Sequence, residues 1–228
     1  MKTHFHTKTR LFGFFLLIFF FAGCSNDDEI KGPPTDGDGN TYTSVTIGDQ
    51  EWLVENLKTT KLNDGTTIPE VADNGDWNGL QSPGMSWYDN DESQYNEAYG
   101  ALYNWYVVET GKVCPKGWHV ASAEEWQSLF DFLGDSPASQ LKEKGNSHWS
   151  LQNDDATNST GFTARPGGYR SAANGFRDLG VYGYWWSSSF DPNNSNRKFG
   201  REMNAFSIDG SEVVYTGNFG MSIRCIKD

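Results

Sequence analysis

The sequence predicts an α+β fold, with small antiparallel sheets, two helices and long loops. Three observations carry that prediction. Short alternating runs stand towards both ends of the chain, two stretches of helical period lie between them, and Gly/Asn/Asp turns fill the intervals. Strands, a central pair of helices and then more strands is the order of an α+β domain.

The first strands come from "SVTIGDQEWLVENL", which alternates around Ile47, Trp52 and Val54 with Gly48-Asp49 as the turn. From Lys61 to Tyr95 the chain is crowded with turn pairs: Asp64-Gly65, Asn74-Gly75, Asn78-Gly79 and Pro83-Gly84. Irregular chain of that length inside a domain serves for binding or packing. The first helix is expected in "NEAYGALYNWYVVET", where Ala98, Leu102, Trp105 and Val108 recur at helical spacing and Gly111 closes the run. The second starts at Ser122 with Glu125 three residues on, a capping box. Trp126, Leu129, Phe130 and Leu133 form its apolar stripe, and Gly134 ends it. Glu124 and Glu125 therefore belong to a first helical turn, where acids are expected from the helix dipole alone. The remaining strands are "GFTARPGGYR", "GYWWSSSF", "KFGREMNAFSI", "SEVVYTG" and "MSIRCIKD", with Asp209-Gly210 as a hairpin turn.

Residues 1–23 are expected to be removed. Lys2, Lys8 and Arg10 precede an apolar run from Leu11 to Ala22 that ends in Gly23-Cys24, the pattern of an export signal. The run is short of the roughly 20 residues a spanning helix needs. Phe21-Ala22-Gly23-Cys24 resembles a bacterial lipobox, although an aliphatic residue is commoner at the place of Phe21. Lipidation is thus expected at Cys24, making the outer membrane a partner through a lipid anchor. The acidic stretch Ser25 to Glu29 looks like the tag that sends Bacteroidetes-type lipoproteins to the outer face of that membrane. Residues 24–40, including "KGPPTDGDGN", form an acidic Pro/Gly linker, and residues 41–228 the domain.

Losing the signal removes three positive charges and no negative one, taking the formal charge from -12 to -15. An acidic surface repels phosphates, so no nucleic-acid partner is expected. With Cys24 lipidated, Cys114 and Cys225 remain, and two thiols in an exported domain most simply pair. Two free buried thiols are the alternative.

"CPKGWHVASAEEW" places Cys114 five residues before His119. A thiolate nucleophile needs an adjacent imidazole and a third group to orient it. Here Pro115, Gly117 and Trp118 intervene, and a bridged Cys114 could not attack. Zinc is disfavoured too, because after signal removal His119 and His148 have no paired cysteine spacing beside them.

Taken in order, "IGDQEWLVENL", "YGALYNWYVV", "CPKGWHVASAEEW", "GFTARPGGYR", "LGVYGYWWSSS" and "MSIRCIKD" resemble the Fibrobacter succinogenes major paralogous domain, from Ser44 to Asp228. The resemblance implies a C-type-lectin-like fold, in which N- and C-terminal strands share one sheet and long loops crowd one face. It also implies a structural disulfide joining Cys114 to Cys225. Formylglycine-generating enzymes share that fold, but their reactive cysteine pair lies near the C-terminal region, unlike the pair here. No enzyme is expected. Calcium-dependent lectins use Glu-Pro-Asn or Gln-Pro-Asp loops and Trp-Asn-Asp strands, none of which this chain has. No cofactor is expected; calcium alone is left open by the oxygens of "DNDES" (Asp89 to Ser93) and "NDDATN" (Asn153 to Asn158).

The aromatic residues carry the binding expectation. Trp77, Trp87, Trp149, Trp185 and Trp186 lie in or beside turn-rich segments, with Tyr88, Tyr95, Tyr169, Tyr182 and Tyr184 near them. Exposed rings stack on sugars and anchor interfaces. At most two or three of these rings are expected outside, and one of Trp185 and Trp186 must point inward from its strand. The candidate ligand face joins Asp73–Asp91 to "SSSFDPNNSNRKF", with Trp77, Trp87, Tyr88, Phe190, Asn193, Asn194 and Arg197 as contacts. The ligand is an extracellular glycan or protein, with glycan favoured. A structural or adhesin-tip protein that binds an envelope partner is the alternative.

Overall fold

Gly48, at φ 60°, turns β1 (Ser44–Ile47) directly into β2 (Gln50–Leu53), and Ile47 pairs with Gln50 across it. That left-handed φ is what the first position of a two-residue hairpin needs, and glycine adopts it without strain. The computed structural model describes residues 1–4, 32–150, 153–171 and 173–228. Cys24, the apolar signal run and the acidic stretch after Cys24 lie outside the described residues.

The folded unit is Gly32–Asp228, so it begins before the boundary expected at Thr41. The Asp36 carboxylate makes the difference. It accepts the backbone N–H groups of Asp38 and Asn40 and the Tyr42 hydroxyl, folding the supposed linker onto the domain.

The helices depart further from expectation. Between β2 and the expected first helix come α1 (Asn74–Asn78) and β3 (Met85–Ser86). The helix expected as one is two: α2 (Glu92–Tyr99) and α3 (Trp105–Glu109), separated by β4 (Leu102–Tyr103), which pairs with β3. Gly100 breaks the run at φ 72° and ψ -167°, and a Cβ there would sit 2.5 Å from the Leu57 carbonyl oxygen. Ala101 N–H instead donates to that oxygen at 2.9 Å. Long-range pairing has overridden helical period. The second helix is as expected: β5 (Trp118–Val120) leads into α4 (Ala123–Leu133), with both capping-box bonds between Ser122 and Glu125 formed. The short α5 (Pro137–Leu141) follows it.

β6 (Tyr169–Ser171) and β7 (Gly175–Arg177) form a two-stranded ribbon. β8 (Tyr182–Phe190), β9 (Lys198–Asn204) and β10 (Ser211–Tyr215) form an antiparallel sheet in the order β10-β9-β8. Asp209-Gly210 lies in the β9–β10 connection, but pairing starts at Ser211 opposite Glu202, so the loop is wider than a tight turn. β11 (Cys225–Lys227) returns to the beginning, sitting between β2 and β5 in a four-stranded sheet ordered β1-β2-β11-β5. The two ends of the domain are thus hydrogen-bonded together.

Two hydrophobic cores flank β8. Trp186 belongs to one, with Trp87, Trp105, Tyr103 and the two cysteines; Trp185 belongs to the other, with Trp52, Trp126, Trp149 and Phe162. Both indoles of the pair are 0% exposed. Strand alternation required one of the two to point inward; both do, because both faces of this strand are covered.

Two buried arginines tie loops to this frame. Arg170 donates to the carbonyls of Val71, Ala72 and Asp73 and to Asn74 Oδ1, and its guanidinium lies 4.3 Å from the Trp77 ring. Arg224 donates to the carbonyls of Leu53, Val54 and Phe162 and to Asn56 Oδ1. A buried guanidinium is tolerated when its N–H groups are satisfied in this way.

Candidate functional site

The expected ligand face is divided by the structure. Trp77 is 1% exposed beneath Arg170, with its indole N–H donating to the Asn218 carbonyl at 2.8 Å. Trp87 is also 1% exposed, inside the core that holds the disulfide. Tyr88 is buried, its ring 5.3 Å from Tyr95 and 5.2 Å from Phe176. These three residues cannot stack on a ligand, which corrects the expectation for Asp73–Asp91. That segment packs because Arg170 needs its carbonyls and Trp77 covers the guanidinium. None of the five tryptophans marked in the sequence as candidates reaches the surface.

The β8–β9 turn behaves differently. Phe190 is 47% exposed, edge-on to Trp105 at 5.9 Å. Asn193, Asn194 and Arg197 are exposed on the same turn. Asp191 shapes it, accepting the Asn193 N–H at 2.9 Å and facing Arg197 Nε at 3.4 Å. Asn194 and Arg197, together with Val214, Tyr215 and Phe219, line an open groove of about 580 Å³. Tyr215 and Phe219 escaped the sequence reading. Their only signal was the alternation of "SEVVYTGNFG", which ordinary strand packing also explains.

The groove opens onto a run of rings. Tyr215 and Phe219 lie 4.6 Å apart, Phe219 and Tyr169 stack at 5.8 Å, and Tyr169 meets Tyr184 edge-on at 5.2 Å. Tyr184 and Tyr182 stack at 5.8 Å with 9° between their planes, and exposed Phe206 lies 6.4 Å beyond. Glu202 on β9 pairs in register with Tyr184 on β8, which puts its carboxylate on the same face. Burial, with Glu202 adding to it, pushes the Tyr184 hydroxyl well above the usual phenol range. Burial chiefly raises Tyr215 as well. These phenols therefore stay protonated and can donate as well as accept.

The other sequence candidates are structural. Cys114 and Cys225 form a disulfide with alpha carbons 6.0 Å apart, within the bridging range, so the thiol is not a free nucleophile. His119 Nδ1 lies 2.7 Å from Asp228 Oδ1, and Nε2 lies 2.9 Å from Glu125 Oε1. Burial lowers the imidazole's pKa, but the hydrogen bonds to the two carboxylates outweigh it and leave it raised. Among the described residues no group of three or more His, Cys, Asp or Glu side chains is placed to hold a metal ion.

The family model of the Fibrobacter succinogenes major domain matches residues 45–227. The chain belongs to that family. Neither a curated protein nor a solved structure matches it. In this Fibrobacter succinogenes major domain the matched span starts within β1 and stops at the last residue of β11, so its limits are those of the sheet that joins the two ends. The turn that Asp36 organises precedes the match yet folds against it, with Asp38 paired to Lys61 at 3.0 Å and the Tyr42 hydroxyl accepting the Lys58 N–H at 3.1 Å.

Proposed function

We propose that the protein is a surface-anchored, non-enzymatic lipoprotein whose C-type-lectin-like domain binds an extracellular glycan. The shared sheet of terminal strands, the second three-stranded sheet and the helix packed against β8 support that fold reading. One observation carries the function: an open groove lined by amide and guanidinium side chains and by aromatic rings. Sugars present apolar C–H faces to rings and hydroxyls to polar side chains, and the groove offers both. The anchor would be an acylated Cys24, because one acyl chain alone binds membranes only marginally and lipoproteins carry two or three.

The experiment is a glycan array probed with the full chain, repeated with Arg197→Ala and Phe219→Ala. Loss of the array signal by at least tenfold, with melting temperature within about 2 °C, supports the groove. Unchanged binding by both variants moves the site elsewhere. A Cys24→Ser precursor that stays membrane-bound after a salt wash removes the lipid anchor from the reading. The adhesin-type reading draws on Phe206 and Ile208, both exposed on the β9–β10 loop, and would show as binding to an envelope protein that Phe206→Ser abolishes.

A further inference from the structure

The run of rings from Phe219 to Phe206 extends past the groove, and two carboxylates border it. Strand pairing sets Tyr182 beside Asn204, Tyr184 beside Glu202 and Ser211 beside Glu202. Alternation from Ser211 then brings Tyr215 to the same side of the sheet. Towards Trp186 this side is closed by the core that holds the disulfide, and Tyr169, Tyr182, Tyr215 and Phe219 are half-buried rings at its margin. Tyr184 is 5% exposed and meets the rings of Tyr169, Tyr182 and Tyr215.

Phe206 differs from them, being 65% exposed yet firmly held. Its N–H donates to Asn204 Oδ1 at 2.9 Å. The buried Lys142 ammonium donates to the Asn204 and Ser207 carbonyls at 3.0 and 3.1 Å. The Ala138 N–H donates to the Ile208 carbonyl at 2.8 Å. Folding gains nothing from a fixed ring left in water, whereas a ligand meeting a pre-ordered ring does.

The bordering carboxylates belong to Glu202 and Asp178. Glu202 Oε1 accepts the Asn204 amide at 2.7 Å, and Asp178 Oδ2 accepts the Tyr184 hydroxyl at 3.4 Å. Among the described residues neither has an ion pair. Burial chiefly raises the phenols of Tyr169, Tyr184 and Tyr215, and the Asp178 charge adds to all three. Glu202 adds to the last two. The opposing charge near Tyr169 is Arg177, which is exposed and turned towards the Phe176 carbonyl at 3.4 Å.

We infer that these rings hold a glycan whose sugars carry free, protonated amino groups, which rests on the glycan reading of the groove. Sugar faces lie on Phe206, Tyr182 and Tyr169, and the ammonium groups meet Glu202 and Asp178. An ammonium group is drawn to the face of a tyrosine and makes charge-assisted hydrogen bonds to a carboxylate. A neutral chain would take water from both carboxylates and return no charge; an acidic chain would be repelled. A basic peptide brings its ammonium groups on flexible stems, with no flat face for the adjoining rings. Arg197 and Asn194, at the groove end, are left to sugar hydroxyls.

The test is calorimetric titration of the full chain with glucosamine hexamer, N-acetylglucosamine hexamer, cellohexaose and hexalysine, in mildly acidic, low-salt buffer. Glucosamine hexamer should bind at least tenfold tighter than either uncharged hexamer, and tighter than hexalysine. Its affinity should fall as salt is raised. Glu202→Gln and Asp178→Asn should each weaken it about two- to tenfold, flatten the salt dependence and leave cellohexaose unchanged. Glu212→Gln removes the same charge from the opposite side of β10 and should change the affinity less than twofold. Phe206→Ala should weaken glucosamine hexamer at least threefold with an unchanged melting temperature. Uncharged hexamers binding as tightly as glucosamine hexamer would overturn the inference and leave the glycan reading standing. Hexalysine binding tighter than every sugar would overturn both. Glu212→Gln acting as strongly as Glu202→Gln, or no binding by any probe, also overturns the inference, while the glycan array decides the groove separately.

Discussion

Trp185 and Trp186 are neighbours in the chain, yet their indoles occupy different hydrophobic cores. Trp185 donates its N–H to Asn56 Oδ1 at 2.8 Å, and Trp186 donates to the Tyr103 carbonyl at 2.7 Å. β8 is therefore a partition with a covered face on each side. Both indole N–H groups end on residues from the first half of the chain, so this one strand joins the terminal sheet to the α2–α3 segment.

Each tryptophan should be needed for stability on its own account. Trp185→Ala and Trp186→Ala are each expected to cost about 3–5 kcal/mol, the usual range for a deleted buried indole. Urea unfolding followed by circular dichroism measures both. If one variant were as stable as the parent, β8 would have one solvated face and the two-core description would fail.

The disulfide closes a loop with a sequence separation of 111 residues. Chain entropy assigns about 4.7 kcal/mol to a closed loop of roughly 100 residues. The double variant Cys114→Ala with Cys225→Ala should unfold at correspondingly lower urea. Alkylation of the native protein should label neither cysteine until a reductant is added; labelling of both without reductant contradicts the bridge.

His119 makes stability depend on pH in a direction that can be worked out. Its folded pKa is raised above 6.5, so its contribution is complete below pH 6.5 and is lost as pH rises through the folded value. Glu125 is opposed by burial, but the Ser122 N–H, the His119 ring and the Ser122 hydroxyl hold it below 4.5. Its contribution is complete above pH 4.5 and is lost as pH falls through the folded value. The bridge thus stabilises most between about pH 4.5 and 6.5. The groups are part-exposed, so the effect is about 1 kcal/mol or less. Melting temperatures of His119→Gln and the parent across pH 4–9 should converge above neutrality; parallel curves would deny His119 a charged partner.

Local chemistry was legible in the sequence wherever a few adjacent residues decide the outcome. The Gly48 turn, the Ser122/Glu125 capping box with its helix and the strand at "CIK" all follow from rotation preferences and short-range hydrogen bonds. The partnership of Cys114 and Cys225 was legible for another reason: with Cys24 expected to be lipidated, two thiols remained, and two thiols in an oxidising compartment most simply pair. Tertiary structure decided the rest. "NEAYGALYNWYVVET" has helical period throughout, but the Leu57 carbonyl, far away in sequence, takes the Ala101 N–H and fixes Gly100 where only glycine fits. Trp77 and Trp87 sit among turn residues, as an exposed ring would. Trp77 is buried by Arg170, whose guanidinium draws the Val71–Asp73 carbonyls inward and lies against its ring, and Trp87 by the core that holds the disulfide. Tyr215 and Phe219 came to line the groove because β9–β10 pairing sets Tyr215 beside Lys198, next to the Asn194–Arg197 turn. A side chain's periodicity records its own strand or helix, whereas its exposure depends on what the rest of the chain places over it.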